Sequence, residues 1–166
     1  QLYQDNLQEH FGILSEHFIR SENYEKGAEY SKLASKRAQD TASLNEAINY
    51  ALKRISALEK LPRTDSLEEK IIQFRIIAGL LMMEMNYFKR ARETVAPVVE
   101  SVLKSGNAKK MSQILTTIGT YEFVVEENYP KAFEHLGEAL RISKEIGDMG
   151  ALATASYWIG CAQCLN

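Results

Sequence analysis

Three groupings in the chain carry side chains that can ligate a metal, titrate or attack a substrate. Cys161 and Cys164 form a CxxC, the spacing used by dithiol redox centres and by half of a zinc site. Neither context surrounds it, because there is no βαβ pattern, no second Cys or His pair, and both thiols fall on one helical face near the end of the chain. Two buried or half-buried reduced thiols is the reading the surroundings favour. His10 and His17 share a helical face, each preceded by a glutamate (Glu9 and Glu16), but a third ligand at helical spacing is missing. His135 has no partner within its own helix. Glu126-Glu127 places two carboxylates side by side, as an acid and base pair requires, yet at a helix end beside a loop, where solvated charge is expected. No reacting group, base and electrostatic stabiliser converge, so the expectation is a protein that is not an enzyme and uses no cofactor or metal.

The remaining marked residues read as packing or solvation. Met82, Met83 and Met85 suit core filling in a helix apolar on two sides. The basic clusters Lys53, Arg54, Lys60 and Arg63, and Lys89, Arg90 and Arg92, are interleaved with Glu and apolar residues, without the aromatic spacing of single-strand binders, and read as solvated outer faces. Twenty Lys and Arg against 22 Asp and Glu leave a net charge of −2, which gives no field to gather nucleic acid or an anionic membrane. No apolar run is long enough to span a bilayer and no signal-peptide core is present, so a cytoplasmic protein is expected. The sequence starts at Gln1 and stops within a helical pattern, as expected of a piece of a longer protein.

The elements that hold these residues are helices throughout. Asn23-Tyr24-Glu25-Lys26, Asn86-Tyr87-Phe88-Lys89 and Asn128-Tyr129-Pro130-Lys131 each join two stretches of helical hydrophobic period, and Gly79, Gly119 and Gly160 lie 40 and 41 residues apart. The first helix is expected over about residues 2–21, with Tyr3, Leu7, Phe11, Leu14 and Phe18 on one face. Asn23, Asn107 and Asn128 are N-caps, Ser43 and Glu46 form a capping box, and Asp65 to Glu68 opens the fourth helix in the same way. Pro97, inside the segment 88–104, predicts a kink near 93–97, while Gly106 and Gly147 close their helices. No segment alternates like a strand. Eight helices with short connections imply an all-α, right-handed solenoid of antiparallel pairs over 1–166, read as a single domain.

The residue choice resembles the tetratricopeptide repeat, with Ser15, Gly79 and Gly119 at the small position of the first helix. Tyr24, Phe88 or Tyr87, and Tyr129 stand near the turn, Gly27, Ala91 and Ala132 open the second helix, and Gly160 continues the spacing. Helix 43–61 falls outside this pairing. Residues 14–18, 23–30, 46–50 and 58–62 look like the start of the helical-repeat region of bacterial STAND-type proteins, among them ATPase-linked adenylate or guanylate cyclases and MalT-like regulators. The departure is Gly27 where such sequences usually keep Ala, and neither a phosphate-binding loop nor a cyclase motif is present.

The resemblance implies a sensor or scaffold segment that binds a protein or peptide, other domains of its own parent protein included. The alternative is a small-molecule effector sensor controlling an attached ATPase or nucleotide cyclase. The concave positions it implies are Gln73, Ile76, Leu80, Met83, Gln113, Thr116, Thr120 and Phe123, the same apolar ones also being candidates for burial between layers. Positions Gly12, Glu16, Ile76, Leu80, Thr116 and Thr120 do not supply the Lys and Asn with which such domains grip chaperone carboxylates. Self-association is expected through the last helix, with Tyr157, Trp158 and Ile159.

Overall fold

The computed structural model describes residues 9–164, and among them are nine α-helices, one 3-10 turn and no strand. The helices are α1 (Phe11–Arg20), α2 (Tyr24–Asp40), α3 (Leu44–Leu58), α4 (Asp65–Glu84), α5 (Phe88–Val95), α6 (Val99–Ser105), α7 (Ala108–Val124), α8 (Tyr129–Ile146) and α9 (Met149–Cys164). Proline 97 breaks its segment where expected, since Ala96–Val98 is a 3-10 turn between α5 and α6. The eight predicted helical segments are therefore all present. Tyr3 and Leu7 lie outside the described residues. Where the sequence reads as one domain, the chain divides into two compact units between Leu81 and Met82.

In the first unit α2 packs on α1 and on α3, and Ile55, Ile71 and Ala78 form a core shared by α3 and α4. The second unit is built around α7, which touches α5, α6, α8 and α9. Its core has two parts, one of Leu115, Ala139, Ile142 and Ala155 and one of Phe123, Ala132 and Ala162.

One connection is used four times. Glu22, Ala42, Asn86 and Glu127 each take the left-handed conformation, with φ between 52° and 59°, one residue before a helix N-cap. The amide that follows reaches back over the preceding turn, Asn23 to the Phe18 carbonyl at 2.9 Å, Ser43 to Ala38 at 2.7 Å and Tyr87 to Met82 at 2.8 Å. This closes the helix and starts the next within two residues. Gly106 and Gly147 do the same at φ 66° and 69°, without the clash a Cβ brings. Relief of that clash in Ala42→Gly is expected to raise stability by about 0.5–1 kcal/mol, net of the unfolded-state entropy that glycine adds. A higher urea midpoint with unchanged slope checks it; a lower one would mean that the Ala42 methyl contributes more than its backbone costs.

The caps correct the sequence reading in detail. The side chains of Asn23, Asn107 and Asn128 accept from the amides of Lys26, Lys110 and Lys131 as expected. Asn86 does not cap; it is the left-handed residue, and Tyr87 occupies the N-cap position. The second copy of the repeated phrase is thus shifted by one, so Phe88 stands where Tyr24 and Tyr129 stand in theirs. Ser43 makes no side-chain cap bond, and α4 is capped by Thr64, whose hydroxyl accepts from the Leu67 amide at 3.2 Å, instead of by Asp65.

Two glycines mark close helix crossings. A Cβ at Gly27 would stand 2.7 Å from Ile19 Cγ1 and 3.3 Å from the Ile19 backbone nitrogen. A Cβ at Gly119 would stand 2.7 Å from Leu136 Cγ and 3.1 and 3.2 Å from backbone atoms of α8. Gly79 is buried. The spacing that linked Gly160 to these residues has no steric counterpart, because nothing lies within 4 Å of the Cβ it lacks. Each unit also carries a buried pair of serine hydroxyls, Ser15 with Ser31 at 2.6 Å and Ser112 with Ser143 at 2.5 Å. Ser31 and Ser143 donate to the carbonyls four residues earlier, Gly27 and Ala139, so neither hydroxyl is left unpaired.

Candidate functional site

The positions expected to face a groove separate into two sets. Ile76, Met83, Thr116, Thr120 and Phe123 are buried, whereas Leu80 and Gln113 are half-buried and Gln73 is exposed. For Thr116, Thr120 and Phe123 the reason is the crowding of α7, where every residue from Ile114 to Thr120 is buried. Of the two threonines expected to line a groove, Thr116 serves the helix by donating to the Ser112 carbonyl, as Thr117 does to the Gln113 carbonyl, while the buried Thr120 hydroxyl has no hydrogen-bond partner among the described residues. Phe123 is a core residue, with its ring 5.9 Å from Tyr129 and 6.3 Å from Trp158. Among the positions read as structural, Ser15, Gly27, Ala91 and Ala132 are buried and Tyr24 is half-buried. Phe88 meets Trp158 edge-on at 5.4 Å. Trp158 consequently packs within its own unit, and Tyr157, 62 % exposed, is the aromatic that α9 presents outward.

The reactive side chains do not assemble. Cys161 is half-buried as expected, Cys164 is exposed instead of buried or half-buried, and both are free thiols. His10, His17, Glu126 and Glu127 are exposed, and no cluster of three metal-ligating side chains exists among the described residues. His135 does have a partner that its own helix could not reveal: its Nδ1 lies 2.6 Å from Glu122 Oε2 on α7. The Glu122 side chain is 10 % exposed and that of His135 30 %, so the pair is a mostly buried bridge between α7 and α8.

The most distinctive surface lies in the first unit, where α2, α3 and α4 enclose a cleft of about 170 Å³. Three contacts position it. Ser35 donates to the Ala47 carbonyl at 2.9 Å and joins α2 to α3, the Ile55, Ile71 and Ala78 core joins α3 to α4, and Lys53 is drawn to the other side of α3 by an ion pair with Glu16 of α1. Arg54, the next residue, therefore turns toward α4, where its guanidinium carbon sits 3.5 Å from the centre of the Phe74 ring. Phe74, Ile77, Ala78 and Leu81 give the cleft an apolar wall, and Ile77 is 49 % exposed. Lys32 and Lys36 from α2 border it with Arg54, and none of these three forms an ion pair among the described residues. Burial draws the Arg54 pKa downward, with no carboxylate to offset it.

The sequence reading placed Arg54 on a solvated face. The signal that could have corrected it is the pairing of Phe74 on α4 with Arg54 on α3, which needs the helix crossing to be known. A larger cleft of about 290 Å³ on another face of the C-terminal half of α2 is lined by residues that include Glu9, Arg37 and Glu46, so its charges are of both signs. No protein-family model, curated protein or solved structure matches the chain.

Proposed function

We propose that the chain is a non-catalytic interaction module, a tetratricopeptide-like right-handed solenoid that recognises a protein or peptide segment within a cytoplasmic signalling protein. The observation that carries this reading is the cleft of α2, α3 and α4, an apolar wall with Ile77 exposed, bordered by three cations that form no ion pair among the described residues. Exposed apolar surface beside an arginine stacked on an aromatic ring is the composition of a recognition surface. The helix pairs of each unit, with glycine crossings at Gly27 and Gly119, support the repeat architecture. A small-molecule effector sensor is the second reading. At this cleft it is disfavoured by size, because about 170 Å³ falls below the ~300 Å³ where enclosed ligand sites begin.

A second copy of the chain is a further partner, through α9. No residue from Met149 to Cys164 carries a formal charge, and Met149 and Tyr157 are 71 % and 62 % exposed. Sedimentation velocity of the chain, alone and titrated with the remaining segments of its parent protein, tests both readings together. Saturable hetero-association is expected, together with concentration-dependent self-association that Tyr157→Glu abolishes. A strict monomer would remove the α9 contact. Saturable binding of nucleotides or metabolites with no protein partner would replace the module reading by the sensor.

A further inference from the structure

We infer that the α2–α3–α4 cleft binds an acidic peptide segment carrying one large apolar anchor, which enters between Phe74 and Ile77 while its flanking carboxylates meet Lys32, Lys36 and Arg54. The inference rests on the interaction-module reading and narrows it to a site and a partner chemistry.

Charge complementarity is the first argument. The chain as a whole carries −2, yet this cleft gathers cations only, with no Asp or Glu in its lining. Elsewhere in the same unit the comparable basic side chains are paired, Lys53 with Glu16 and Arg75 with Glu59 at 2.6 Å. Arg54 is therefore distinguished by the absence of a carboxylate from a half-buried position that would stabilise one. Its contact with Phe74 holds the guanidinium over the ring, so less side-chain freedom is lost when a carboxylate arrives.

Shape is the second argument. The apolar wall of Phe74, Ile77 and Leu81 belongs to one face of α4, and Lys32 and Lys36 are one turn apart on α2. An incoming segment thus meets apolar surface on one side and cations on the other. That arrangement suits an amphipathic strand or helix whose anchor and carboxylates lie on adjoining faces. A nucleic acid is disfavoured because the only aromatic ring in the lining beside the cations is Phe74, already covered by Arg54.

The test uses the full 166-residue chain and a fluorescein-labelled, C-terminally amidated peptide of Glu and Asp around a central Leu-Phe pair, followed by anisotropy. Two control peptides replace the acids by Gln and Asn, or the Leu-Phe pair by Ala-Ala. Saturable binding is expected for the parent peptide, weakened at least tenfold in either control, in Lys36→Glu and in Arg54→Gln, and falling as salt is raised. Lys104→Glu, on α6 and outside the cleft, should leave the affinity within twofold. Thermal melts of each variant separate loss of binding from loss of fold; should Arg54→Gln melt early, Lys36→Glu on the exposed face of α2 carries the decision. Equal binding of the acid-free control, or equal binding by Lys36→Glu and wild type, overturns the assignment, as does displacement by single-stranded oligonucleotide at matched charge. Failure of the peptide to bind while the parent protein's segments still do removes the cleft and leaves the module; failure of both removes the two together.

Discussion

Replacing Gly119 by Leu is expected to cost more than about 3 kcal/mol and to unfold the second unit at moderate temperature. The ordinary penalty for overpacking is ~1–3 kcal/mol, and it assumes that side chains can shift. Here the obstruction is partly main chain, with the Leu136 nitrogen at 3.1 Å and the Ala132 carbonyl oxygen at 3.2 Å from where the first carbon would go. Two helix axes would have to part along a contact that includes Ala132, Leu136 and Phe123, all buried. Glycine to alanine in a helix normally gains up to ~1 kcal/mol of propensity. At Gly119 the crowding by Leu136 Cγ at 2.7 Å outweighs that gain, and Gly119→Ala should be destabilised by roughly 1–2 kcal/mol. Gly160→Ala is the internal control: no atom outside its own helix backbone lies within 4 Å of the added Cβ, so the propensity gain should appear undiminished. Calorimetric or urea unfolding of the three variants decides, and a Gly119→Leu protein that melts with wild type would refute the close crossing.

The second large effect concerns Glu122 and His135. Removing the imidazole in His135→Leu leaves a carboxylate whose side chain is 10 % exposed facing an apolar group, and the loss is expected to be about 2–4 kcal/mol. Removing both groups in Glu122→Leu/His135→Leu should recover at least half of that loss, because the cost lies in stranding a buried polar group more than in the pair itself. The cycle of two single variants and one double, measured by urea unfolding, reads this directly. Purely additive losses would show that the 2.6 Å contact contributes nothing through pairing.

Neither effect involves the cysteines or the α1 histidines that the sequence marks as reactive. The CxxC is a half-buried and an exposed thiol on one helix, and the His10 and His17 imidazoles are exposed on α1. The surface carries a cleft lined by cations of one charge sign on the first unit and a helix without formal charge on the second.

The sequence by itself determined the helices, because the information for them is local. The 3.6-residue period, the caps at Asn23, Asn107 and Asn128, the break at Pro97 and the terminators Gly106 and Gly147 each act within one or two turns. It did not determine which face of a helix is surrounded. Thr116 and Thr120 look polar in one dimension and are buried in three, since α7 is covered by four other helices and its hydroxyls turn to its own carbonyls or inward. The same limit hid His135 from Glu122 and Arg54 from Phe74. Each pair joins two helices, and a shift of one residue, as between Asn86 and the caps Asn23 and Asn128, turns a side chain by about 100° around its axis. Tertiary packing alone decided which partner each of those side chains would face.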